Sequence, residues 1–106
     1  MRQLDQRINT RYGEAIIDIA AYDNGAPAVR LTNAETGEPI ATLSINLPEA
    51  AHQLGPDEFF AKTWTENKAV AAAALSSGLF EDTGKRIPTG FVEAQVWRFA
   101  AGALPR

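Results

Sequence analysis

The sequence predicts a single α+β domain, an antiparallel sheet of five or six strands with one Ala-rich helix packed on it. Three stretches carry that prediction. In residues 39–47, Ala41, Leu43, Ile45 and Leu47 share one face and Thr42, Ser44 and Asn46 the other, which is the two-residue period of a half-buried strand. Asn24-Gly25 stands between two apolar runs, and both residues accept positive φ at low cost, the strongest short hairpin signal. Residues 66–77 carry alanine at 69 and at 71–74 with Leu75, all strong helix formers, and Gly78 is placed to close them in a left-handed turn.

Taken in order, residues 4–10 set Leu4, Gln6 and Ile8 against Asp5, Arg7 and Asn9, a weak edge strand. Arg2, Arg7 and Arg11 make this end basic, and charges on an edge oppose aggregation. The same edge could pair with a second copy, so monomer and homodimer both stay open. Tyr12-Gly13 turns into a strand at 14–22, with Ala15, Ile17, Ile19 and Ala21 on one face and Ile16, Asp18, Ala20 and Tyr22 on the other. It is apolar on both faces, as a central strand should be. The next strand, 27–33, points Val29 and Leu31 inward and Arg30 and Thr32 outward. Gly37 supplies a left-handed position in the following loop, and Pro39 opens the strand that Pro48 ends. Residues 14–47 therefore read as a three-stranded meander.

Residues 48–57 are a loop with two prolines, Gly55 and the only histidine, His52, and room for a short helical turn at 49–54. Residues 58–64 suit a fourth strand. Thr63 with Glu66 has capping-box spacing, and Thr65 is an equally good simple cap. On the helix, Val70, Ala73, Ala74 and Ser77 form a stripe of small side chains that can lie close on the sheet or face a partner helix. After it, Leu79-Phe80 is extended, 82–85 a turn and 86–89 irregular. The last strand, 91–100, sets Val92, Ala94 and Val96 against Phe91, Glu93, Gln95, Trp97 and Phe99. Seven aromatics, Phe59, Phe60, Trp64, Phe80, Phe91, Trp97 and Phe99, are too many for one strand face, and most should enter the core. The ordered core is expected at about 4–100, with a fraying tail.

At 106 residues the chain suits one domain, and its 45% hydrophobic and 22% charged content is that of a globular protein. With no cysteine, a disulfide framework and cysteine-ligated zinc are excluded. A net charge of −3 disfavours a broad phosphate-binding surface and is too small for DNA mimicry. No signal-peptide pattern is visible in residues 1–10, and the longest apolar run, 69–75, falls far short of the ~20 residues that cross a bilayer. The expectation is a cytoplasmic protein without a membrane partner.

Chemistry finds little support. His52 has no serine or aspartate at a useful local spacing, so a surface histidine is favoured over a general base. The pairs Asp57-Glu58 and Glu81-Asp82 border turns, where carboxylates are usually solvated. Thr83-Gly84-Lys85-Arg86 lacks the preceding glycine of a phosphate loop and has Arg86 where a hydroxyl would meet magnesium. No histidine or carboxylate spacing matches a zinc or calcium motif. No catalytic residue, metal or cofactor is expected, and the chain reads as no enzyme.

Tyr22-Asp23-Asn24-Gly25, then Gly37-Glu38-Pro39 running into Leu43-Ser44-Ile45-Asn46-Leu47-Pro48, then Thr83-Gly84 and Thr89-Gly90-Phe91 form a pattern. It resembles an uncharacterised family of small proteins carried on bacterial plasmids, integrative elements and phages. That family shows a Gly-Glu-Pro turn, a Leu-Thr-Val-Asn-Leu-Pro-like strand and a late Ser-Gly-Phe-like segment. The resemblance covers roughly residues 12–99 and departs at 60–67, usually rich in Asp and Asn in the family. It brings no catalytic residues, and Asn46 is read as structural. What it implies is a protein-binding accessory factor of a mobile element, of the anti-CRISPR or anti-restriction kind, that occludes a host protein complex such as a CRISPR or restriction effector. Expected contacts are Glu35, Glu38, Asp57, Glu58, Glu81 and Asp82, which otherwise serve only as solubilising charge. The alternative is a single-stranded nucleic-acid module using Arg7, Arg11, Trp97 and Arg98, in which bases stack on sheet aromatics beside arginines. Direct nucleic-acid binding is disfavoured because Trp97 and Phe99 point opposite to Arg98 on a strand.

Overall fold

A computed structural model of the chain describes residues 2–104. Two short strands, β1 (Arg2–Gln3) and β2 (Ile8–Thr10), pair antiparallel with successive parts of β3 (Gly13–Ala21). The expected edge strand is thus split. The chain bends out at Asp5-Gln6, while Leu4 and Ile8 both turn into the core. Strand β3 also pairs with β4 (Pro27–Asn33), and β4 with β5 (Pro39–Thr42), which completes a five-stranded antiparallel sheet. Gly25 at φ 86° closes the β3–β4 turn, where its N–H donates to the Tyr22 carbonyl at 2.8 Å. The meander expected at 14–47 is present through β5.

The strand expected at 39–47 does not stay in one sheet. Its second part, β6 (Ser44–Ile45), joins β7 (Glu58–Ala61), β8 (Phe80–Thr89) and β9 (Val92–Phe99) in a second antiparallel sheet ordered β6-β7-β9-β8. Leu43 is the junction. Its N–H donates to the Val29 carbonyl of the first sheet at 2.8 Å. Its carbonyl accepts the Lys62 N–H, just past β7, at 2.8 Å. The N–H of Val29, which would otherwise bond that carbonyl, donates to Ser44 Oγ at 2.9 Å. Strands that change sheet at a bend are a known way to pack two sheets at a corner.

The strands therefore form two sheets sharing one core. That core takes Ile17, Ile19, Val29 and Leu31 from the first sheet and Phe59, Phe80, Trp97 and Phe99 from the second. The four aromatic rings pack edge-on or tilted, with centroids 5.2 to 6.1 Å apart. Helix α1 (Lys68–Ser76) buries Val70, Ala71 and Ala74 against it. Of the expected stripe, Val70 and Ala74 are buried and Ala73 packs against the core, while Ser77 is exposed and Ala71 is buried in addition. A smaller cluster of Phe60, Ile87, Ala94 and Val96 lies on the other face of the second sheet, covered by Ile45, Leu47, Leu54 and Trp64. The Cα radius of gyration, 12.9 Å, is that of one body, about 13 Å for a chain near this length.

Three local expectations change. Neither Thr63 nor Thr65 caps the helix. Thr65 sits at φ 53° and opens a single 3-10 turn (Thr65–Asn67), and Asn67 precedes α1 with its side chain turned away. That side chain is buried and donates to the carbonyls of Thr42 at 2.7 Å and Lys62 at 3.1 Å, tying the helix start to both sheets. The segment 82–89 is neither turn nor irregular but part of β8, which bulges between Asp82 and Arg86 with Gly84 at φ 89°. The helical turn expected at 49–54 is a 3-10 helix, Pro48–Gln53.

Candidate functional site

The six carboxylates expected to meet a partner do not form one surface. Glu35 and Glu38 stand exposed in the β4–β5 loop of the first sheet. Asn33 Oδ1 holds that loop by accepting the N–H groups of Glu35 at 2.8 Å and Thr36 at 3.1 Å. The other four lie at or on the second sheet, where three are engaged by cations. Glu58 is buried, so it is not a surface contact. It accepts the Lys85 ammonium at 2.7 Å and the Gly55 N–H at 2.8 Å. Burial pushes its carboxyl up, but the Lys85 and Gly55 hydrogen bonds with the charges of Lys85 and Arg98 leave it below its ordinary value. Glu81 takes two bonds from Arg98, at 3.1 and 2.7 Å. Asp82 is held by the Arg86 fork, at 2.9 and 2.8 Å, which lowers its carboxyl against the effect of burial, with help from the Gly84 N–H. Asp57 is exposed just before β7 and sits at φ 59°.

The stacking surface of the alternative reading, at Trp97-Arg98, is not formed among the described residues. Alternation places Trp97 in the core, where it is 0% exposed and its indole N–H is satisfied by Gln95 Oε1 at 2.8 Å. No base can reach its face. Of the arginines meant to accompany it, Arg98 is held by Glu81, Arg7 by Glu14 at 2.7 Å, and Arg11 lies over the Tyr12 ring, 5.7 Å from its centroid. His52 is exposed on the 3-10 turn. Among the described residues no group of three or more His, Asp or Glu is arranged to hold a metal ion. Asn46 accepts the Asn24 side-chain amide at 3.1 Å across to the β3–β4 turn.

What sequence reasoning missed is Phe91. The sequence sets it among the aromatics of which most should enter the core, yet it is fully exposed at the tip of the β8–β9 hairpin. Gly90 at φ 68° makes the turn, and Phe91 follows it outside both strands. The signal was Thr89-Gly90, a turn pair that puts the next residue at a tip. Phe91 and Tyr12, at 55% exposure, are the large apolar side chains left in solvent among the described residues. Tyr12 borders a cavity of about 490 Å³ shared with Asn33, Glu38 and Ile40, so the β2–β3 turn and the acidic β4–β5 loop form one end of the first sheet. Among the described residues no helix is long and apolar enough to cross a membrane.

The fold and these two projecting features define an α+β domain with two antiparallel sheets and solvent-exposed aromatics at its turns. Comparison with protein-family models, curated proteins and solved structures finds no match.

Proposed function

We propose that this protein works by binding another protein, without chemistry of its own, and that Phe91 is the anchor of the contact. A phenylalanine left wholly in water at the tip of the longest hairpin is the observation that carries the reading. Aromatic side chains dominate binding when they enter a partner's pocket, and a projecting tip presents one without rearranging the domain. Tyr12 with Glu35 and Glu38 offers a second contact, in which exposed carboxylates without an ion pair among the described residues would steer a basic partner. The resemblance to proteins of mobile elements supplies the context, an accessory factor that occludes a host defence complex of the CRISPR or restriction type.

The test is a pull-down from nuclease-treated host lysate with the wild-type protein and Phe91→Ser side by side. One stoichiometric protein retained by the wild type and lost with Phe91→Ser supports the reading. Equal retention by both removes Phe91 as the anchor, and recovery of the bait alone removes the reading. Reversal of Glu35 and Glu38 to lysine should slow association and weaken its salt dependence, by about tenfold or less in rate at low salt.

A further inference from the structure

The outward face of the first sheet holds a carboxylate that its surroundings do not satisfy. Asp18, in the middle of β3, is only 8% exposed. Its Oδ2 accepts the Thr32 hydroxyl at 3.1 Å, while its buried Oδ1 has no hydrogen-bond partner among the described residues. Arg30 is its register partner on β4, and among the described residues neither side chain forms an ion pair. Both line one cavity of about 290 Å³. Its apolar wall is Pro39, Ile40 and Ala41, where the β4–β5 register shift at Leu31-Thr32 leaves Ile40 as an extra residue.

A buried acceptor without a donor is costly, and a charged donor offsets that cost best. A simple cation would meet Arg30 beside Asp18. A ligand that brings an acceptor for Arg30 together with a donor for Asp18 satisfies both. Ligand cavities start near 300 Å³ in the usual range, so this one takes a small molecule rather than a nucleotide. We infer that the Asp18–Arg30 cavity binds a free α-amino acid with an apolar side chain. Its ammonium donates to the Asp18 carboxylate, its carboxylate accepts from Arg30, and its side chain lies on Pro39 and Ile40. The site is separate from the hairpin tip at Phe91 and does not depend on the protein-binding reading.

The test is a titration of the ¹⁵N-labelled protein with leucine, read by amide resonances. Two analogues accompany it, leucine methyl ester, which lacks the carboxylate, and 4-methylpentanoate, which lacks the ammonium. The expected result is saturable shifts at 18, 30–32 and 39–42, with each analogue weaker by about tenfold or more, the loss of one charge-assisted bond. Asp18→Asn and Arg30→Gln should each abolish the shifts while the remaining spectrum stays native. Arg30 is exposed, so its replacement reports on binding even where that of Asp18 perturbs the strand. Absence of saturable shifts with leucine, valine and phenylalanine at millimolar concentration overturns the inference. So does an ester that binds as well as leucine, because Arg30 then contributes nothing.

Discussion

At the scale of single residues, Ser44 substitutes for a backbone group. Its Oγ accepts the buried Val29 N–H and shares a second hydrogen bond with the Tyr22 hydroxyl at 2.9 Å. Ser44→Ala leaves the N–H unpaired and should cost about 1–3 kcal/mol in a denaturant titration. The exposed neighbour Thr42→Ala should stay within about 0.5 kcal/mol. A negligible effect at Ser44 would show that the Val29 N–H finds another acceptor. The Glu58–Lys85 pair gives a pH signature. Because Glu58 is depressed below 4.5 in the folded state, its contribution is present above that value and is lost as pH falls through the folded one. Wild-type stability should therefore decline on acidification from about pH 5. In Lys85→Met the hydrogen bond and the charge of Lys85 are lost together, so the Glu58 carboxyl rises toward its ordinary value and this contribution shrinks. A stability profile against pH for the two proteins checks it, and parallel profiles would remove Lys85 as the cause.

At the scale of elements, β8 shows where composition misleads. Asp82-Thr83-Gly84-Lys85 has the residues of a turn, and Gly84 does adopt positive φ. Asp82 accepts the Gly84 N–H at 3.0 Å and Thr83 Oγ1 donates to the Val96 carbonyl at 2.7 Å, so pairing with β9 resumes beyond the bulge. A turn and a bulge need the same backbone angles, and only the partner strand separates them. No atom stands within 4 Å of a side chain added at Gly84. Gly84→Ala should therefore lose about 1–2 kcal/mol through backbone conformation alone, measurable as a lower Tm. Hairpins and strand faces were legible, since Asn24-Gly25 and the alternation of Trp97 with Arg98 each have one physical solution. The helix cap was not. Asn67 is recruited by carbonyls from distant strands, which no local pattern announces. The candidate site was legible only in part. Glu35 and Glu38 lie in solvent as read, whereas the cations that engage Glu58, Glu81 and Asp82 come from chain segments set beside them only by strand pairing or the β8 bulge.

At the scale of the whole molecule, the division into two sheets left no mark on the sequence. Residues 39–47 keep a two-residue period in sequence across the junction, but the expected common face is divided, with Ala41 and Leu43 on the shared core and Ile45 and Leu47 on the smaller cluster. Since that core draws on both sheets, the halves should not melt apart. Far-ultraviolet circular dichroism and tryptophan emission are expected to give coincident transitions, with Trp97 reporting the core. Two separated transitions would mean that the sheets are independently stable. Trp97→Ala should cost about 3–5 kcal/mol, a large share of the stability of a domain this size.

The joint at Leu43 is made of peptide, not of side chain. Its N–H belongs to one sheet and its carbonyl to the other. Inheritance acts on side chains, so drift at this position can enlarge or shrink the core but leaves the joint intact. Proline alone, by deleting the N–H, would cut it. The architecture is thus anchored at a point that most mutations cannot reach.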